Sequence, residues 1–147
     1  MTLPSVLMKD TLVNDGFVFA GTGAWALYVG KQPVAPDRCI TLYDSGGRPA
    51  NPRWLLDYPS VQIRVRGGQN DYAVVGAKAY EVRNRLLGRE SYNAYDGLGD
   101  RVVSIVAIGD IAFMGWEEGT IRPEFVFNLS LIVEPSPATS PTNRDPL

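Results

Sequence analysis

The residues best placed to do chemistry sit in "ITLYDSGGRPANPRW", residues 40–54, where Asp44, Ser45, Gly46, Gly47 and Arg48 follow one another. An acid, a hydroxyl and a glycine pair could form a nucleophile site or a phosphate cradle. A cradle needs a glycine-rich turn that feeds a helix N-terminus, where free N–H groups and the helix dipole hold the anion. Here Pro49 and Pro52 stand where that helix would begin. Ser45 lacks a G-x-S-x-G elbow, and the chain contains no histidine that could take its proton. Two glycines after Asp-Ser suit a tight turn with positive φ, so the stretch reads as a structural elbow that displays a surface.

The missing histidine removes the usual general base, metal ligand and triad partner at once. Cys39 is the single cysteine, which rules out an internal disulfide and a thiolate zinc site. No catalytic residue, metal ligand or cofactor site is expected. Gly21 and Gly23 begin a dinucleotide-like spacing but lead into an apolar strand, the wrong context for that motif. Glu117 and Glu118 are adjacent and would point to opposite faces of a strand, so they read as a solvated turn and not as an acid–base pair. Arg64 and Arg66 fall on one face of a strand. That face is either solvated or turned to a subunit seam or ring lumen, where it would meet carboxylates or passing DNA. Trp25, Trp54 and Trp116 read as core or interface anchors.

These residues need a scaffold, and 147 residues make one domain with a core of its own. With 45% hydrophobic and 20% charged residues the composition is ordinary for a globular protein. A net charge of −2, with 14 basic against 16 acidic residues, argues against a dedicated nucleic-acid binder. "MTLPSVLMKD" lacks the pattern of a signal peptide, and no apolar stretch is long enough to span a bilayer, so a soluble cytosolic product is expected.

Residues 3–16 predict a short helix with Pro4 in its first turn and an apolar stripe of Val6, Leu7, Met8, Leu12 and Val13. "AWALYVG" and "RCITLYD" predict an antiparallel strand pair, joined through "KQPVAP". "PSVQIRVRGG" alternates cleanly, with Val61, Ile63 and Val65 on its inner face. Tyr72, Val75, Ala79, Val82 and Leu86 mark the longest helix, with Asn70 as its N-cap and Gly88 beyond its end. "RESYNAYDGLGD" is a polar loop carrying Tyr92, Tyr95 and Asp96. "RVVSIVAIGD" reads as a central strand because it is apolar throughout. "IAFMGWEEGT" is either its bulged continuation or a connection, and "RPEFVFNLSLIVE" alternates again. Four prolines in the last fourteen residues predict a tail that is disordered or orders only against a partner.

The expected fold is α+β: a mostly antiparallel mixed sheet of about five strands flanked by two helices, spanning residues 1–134, with a tail at 135–147. Two helices leave part of such a sheet uncovered, and oligomerisation is the usual way to cover it.

The middle of the chain resembles the phage minor capsid or tail terminator family of long-tailed bacteriophages. The likeness lies in the "YDSGGRP" turn at 43–49, the "YPSVQIRVRG" strand at 58–67 and the "YAVVGAKAYEVRNRLLG" helix at 72–88. "VVSIVAIGD" and "RPEFVFNLSLIVE" are similar to that family's closing hairpin. The resemblance implies a mixed sheet with flanking helices, assembled as a hexameric ring that caps the tail tube and stops its growth. The implied partners are further copies of the chain, the tail tube protein and the head–tail connector or neck proteins, with DNA only as cargo passing through the lumen. It implies a place in the virion at the tail–neck junction after synthesis in the host cytoplasm, and no residue for catalysis. The alternatives are another neck component, an adaptor or stopper, and more remotely a small enzyme using residues 44–48. The candidate interface residues are Asp44, Ser45, Gly46, Gly47, Arg48, Arg64, Arg66, Tyr92, Tyr95 and Asp96.

Overall fold

The computed structural model describes residues 2–16, 25–138 and 142–147. Along the chain run α1 (Pro4–Asn14), β1 (Ala26–Val29), β2 (Cys39–Arg48), β3 (Tyr58–Arg66), α2 (Tyr72–Leu86), β4 (Tyr92–Asn93), β5 (Arg101–Trp116) and β6 (Pro123–Glu134). The strands form one mixed sheet in the order β1-β2-β3-β6-β5-β4. The fold is therefore α+β as expected, with six strands where about five were predicted. Gly21, Gly23 and Ala24 lie outside the described residues.

Both helices lie on one face of the sheet, because period-two and period-3.6 apolar patterns can bury each other only there. β3 contributes Val61, Ile63 and Val65, and β6 contributes Phe125, Phe127, Leu129, Leu131 and Val133. Against them α1 lays Leu7, Met8 and Leu12, and α2 lays Val75, Ala79, Val82 and Leu86. Val6 and Val13 of the predicted stripe stay half-buried and exposed respectively, as does Tyr72 at the start of α2, which is exposed. The helix begins one residue later than predicted, with Asp71 and not Asn70 at its N-cap. Gly67 lets it turn back sharply, since a Cβ there would lie 2.3 Å from Val75 Cγ2.

Three further expectations change. β1 and β2 pair in parallel, not as a hairpin, because loop 30–38 crosses the open face of the sheet before β2 begins. β2 does not stop at Asp44 but bulges between Asp44 and Gly47 and pairs with β3 as far as Arg48. β5 is not central. It takes in "IAFMGW" through bulges and pairs along its length with β6, while β4 covers only Arg101 and Val102 on its other side.

The tail after Glu134 has partners within its own chain. Leu55 N–H donates to Asp145 O (2.8 Å), and Asp145 N–H donates to Arg53 O (2.8 Å). Arg144 Nη1 reaches Asp57 Oδ1 at 2.8 Å and the carbonyls of Asn51 and Leu56. Segments 51–57 and 144–145 thus brace each other. No helix among the described residues is long and apolar enough to cross a membrane.

Candidate docking surfaces

Asp44, the acid of the opening stretch, is spent on the fold. Its Oδ1 accepts the Ser5 N–H at 2.9 Å and its Oδ2 the Ser5 hydroxyl at 2.7 Å. The N–H is one of the orphan donors at the start of α1, which has no cap of its own, so β2, packed against α1, supplies the cap. Ser45 Oγ meets Ser60 Oγ at 2.8 Å, a hydroxyl pair without a base. The Arg48 guanidinium lies 4.7 Å from the Tyr58 ring centre, and Arg48 is exposed. The elbow is tied to α1 and to β3 and leaves Arg48 exposed. Asp44→Ala is expected to destabilise the protein by about 1 kcal/mol, the usual worth of a cap, and to speed amide exchange in the first turn of α1. Unchanged melting and exchange would refute that role.

Arg64 and Arg66 share a strand face but not a fate. Arg64 lies on the open face, where Nε donates to Gln62 Oε1 (2.9 Å) and the guanidinium stands 5.3 Å from the Tyr43 ring. Arg66 is enclosed, a correction to its placement as a surface group. Loop 31–37 folds over it, and its guanidinium donates to the carbonyls of Pro33 (2.6 Å), Pro36 (2.8 Å) and Asp37 (3.2 Å). A buried guanidinium needs its donors satisfied, and the loop offers three carbonyls that satisfy them. Sequence alternation places Arg66 on the wet face correctly. What it cannot show is the loop that arrives from another part of the chain.

Arg122, which sequence reasoning missed, completes this clamp. It donates to Val34 O (2.6 Å) and Asp37 Oδ1 (3.1 Å), and it forms a close ion pair with Glu117. Glu117 also faces Arg66 at 3.4 Å and accepts from the Thr120 hydroxyl at 2.6 Å, so it is not part of a merely solvated turn. Burial alone would raise the Glu117 carboxyl. The hydrogen bonds from Thr120 and Arg122, and then the charges of Arg122 and Arg66, outweigh that and hold it below the usual range. The clamp fixes a loop whose apolar side chain, Val34, is 84% exposed, a preformed knob at one end of the sheet. An open cavity of about 340 Å³ beside it is lined by Asp37, Gln69, Gly119, Thr120 and Arg122. Cys39 lies under the same loop, where burial pushes its thiol up and leaves it unreactive.

The rest of the face away from the helices is bare sheet. Across it run Tyr43, Gln62, Asn128 and Ile108 in one row and Arg64, Val126 and Ala112 in the next. Tyr92, Tyr95 and Asp96 gather elsewhere, in β4 and the loop that follows it. Tyr92 OH is 2.8 Å from Thr11 Oγ1, its ring sits 5.8 Å from that of Tyr95, and Asp96 Oδ1 accepts the Leu98 N–H at 3.0 Å. Tyr95 is the exposed member of that group. The structure thus keeps the elbow, Arg64 and the Tyr92 loop as separate places. It adds an aromatic group at the far end of β5, where Tyr72 lies 5.0 Å from Phe113 and 6.0 Å from Trp116, all three exposed. The signal for it in the sequence is "IAFMGW", apolar on both strand faces.

Among the described residues no cluster of three or more His, Cys, Asp or Glu side chains could hold a metal. What the fold builds is a set of rigid loops, an open sheet face and an uncovered strand edge. That is the equipment of a protein that works by fitting other surfaces. Residues 11–134 match the family model described as bacteriophage tail terminator protein, and the chain belongs to that family. Its members are structural components of the virion tail. Nothing among the curated proteins compared matches the chain.

Proposed function

We propose that the protein assembles as a hexameric ring that caps the end of the tail tube, halts its polymerisation and joins the tail to the neck. Membership of the tail terminator family over residues 11–134 carries this reading. The uncovered sheet face and the open β5 edge support it, since subunit contacts and stacked rings are the ordinary ways to cover such surfaces. Termination in this account is steric. The ring offers the tube a fitting surface on one side and none for the next tube ring on the other. Arg48 and Arg64 are polar contacts on those surfaces, and passing DNA meets no dedicated binding site. The family match favours this role over a head–tail adaptor or stopper.

The test is electron microscopy of tube protein polymerised with and without this chain. Shorter tubes, each with a distinct end-cap, are expected in its presence. Tubes of unchanged length with bare ends would overturn the proposal.

A further inference from the structure

We propose that the free edge of β5 over residues 104–108, with the apolar side chains of Phe113, Met114 and Trp116 beyond it, is the seam where a second copy of this chain docks. This deepens the ring reading and rests on it.

The edge is unguarded. Among the described residues β5 has β6 on one side, while β4 reaches only Arg101 and Val102 on the other. Register shifts at 102–104 and 108–112 bound the regular run 104–108, whose outward amides and carbonyls have no ladder partner. Exposed strand edges are normally blunted by charge or proline, or covered. Between Arg101 and Glu117 there is no lysine, arginine or proline, and Asp110 is the sole charged residue. That carboxylate is already taken by Arg83 Nη1 at 2.5 Å. The flanking side chains are apolar and open: Val106 is 52% and Ile108 50% exposed, and Met114 and Trp116 nearly as much.

An edge of this kind templates any strand it meets, so its partner must be present from synthesis onward. Only another copy of the same chain is supplied in fixed proportion at that moment. On the ring reading, tube and neck proteins meet the ring along its axis. The contact is also free to repeat. The other outer strand, β1, lies on the opposite side of the sheet and pairs only with β2 among the described residues. An edge-to-edge contact between these unlike strands is heterologous, the kind of contact that forms a ring when its rotation closes.

Sedimentation velocity and native mass spectrometry of three proteins test the seam: wild type, the double variant Val106→Lys with Ile108→Lys, and Val74→Lys. Repeating lysines at a seam should weaken self-association about 100-fold or more, since like charges across an interface cost several kcal/mol. Val74→Lys introduces a lysine at another exposed apolar site, on α2, and should assemble as wild type does. Hydrogen exchange of wild type supplies a readout independent of the variants: amides of 104–108 should exchange more slowly as protein concentration rises. A double variant that assembles normally, loss of assembly in Val74→Lys as well, or concentration-independent exchange at 104–108 in an assembling wild type would overturn the seam and leave the ring standing. A wild type that stays monomeric would overturn both.

Discussion

Replacing Arg66 with Met is expected to cost about 3 kcal/mol of stability and to release loop 31–37 from the sheet. The substitution keeps most of the volume and removes every donor. The carbonyls of Pro33, Pro36 and Asp37 lose their partner, and Glu117 loses one of its two cations. The guanidinium sits in a side chain only 2% exposed, so water cannot replace it without opening the loop. For a chain of this size the loss corresponds to a fall in melting temperature of about 10 °C. Arg66→Lys should recover little, because a single ammonium cannot reach three carbonyls that a planar fork spans. Hydrogen exchange should rise in 31–37 and stay unchanged in α2. A melting temperature within about 2 °C of wild type would show that the loop holds by its own contacts.

The same clamp gives a pH dependence of definite sign. The Glu117 carboxyl is held below its ordinary value in the folded protein. Its contribution is therefore complete above the ordinary carboxylate range, about pH 4, and is lost as pH falls through the lowered folded value. In Arg66→Met one of the charges that lowers Glu117 is gone, so the acid-dependent part of stability should shrink.

Gly47→Val is expected to be at least as damaging, about 3 kcal/mol or more, from two independent sources. Gly47 has φ of +110°, a conformation that a β-branched residue adopts only with strain. A Cβ there would also lie 2.3 Å from Tyr58 O and 2.7 Å from Pro59 C and Ser60 N. All three are backbone atoms of the partner strand, which cannot swing aside as a side chain could. Gly46 provides the comparison. Its φ is +85° but a Cβ would meet nothing within 4 Å, so Gly46→Ala should cost only the strain, about 1 kcal/mol. Chemical denaturation of the pair reads the difference directly. Equal losses at the two positions would show that close approach to β3 contributes nothing. The glycine pair thus works as a bulge that bends β2 around β3 and aims Arg48 outward, in place of the ligand cradle its spelling suggests.

Much of this was legible along the chain. The alternation in β3 and β6 and the 3.6 period of α2 named the core residues directly, because burial on one face of an element writes its period into the sequence. The absence of histidine and the prolines after Gly47 removed the chemistry that the opening stretch seemed to offer. The motifs at 43–49, 58–67 and 72–88 pointed to the family that residues 11–134 match.

Other features depended on segments distant in sequence. Asp44 caps a helix 39 residues earlier, and Arg66 and Arg122 close on a loop some 30 and 85 residues away. No local pattern marks such partners. β5 shows the limit most clearly. A run apolar on both faces must be covered on both, and from sequence alone a central strand satisfies that as well as an edge awaiting another molecule. The sequence by itself determined most of the apolar core positions of β3, β6 and α2 and the residue types the chain lacks, since those follow from local period and composition. Only the tertiary structure decided that β1 joins in parallel, that Arg66 is enclosed while Arg64 is open, and that the apolar β5 pairs along its length on one side only. Those outcomes depend on which distant segments meet, and folding settles that through the whole sheet at once.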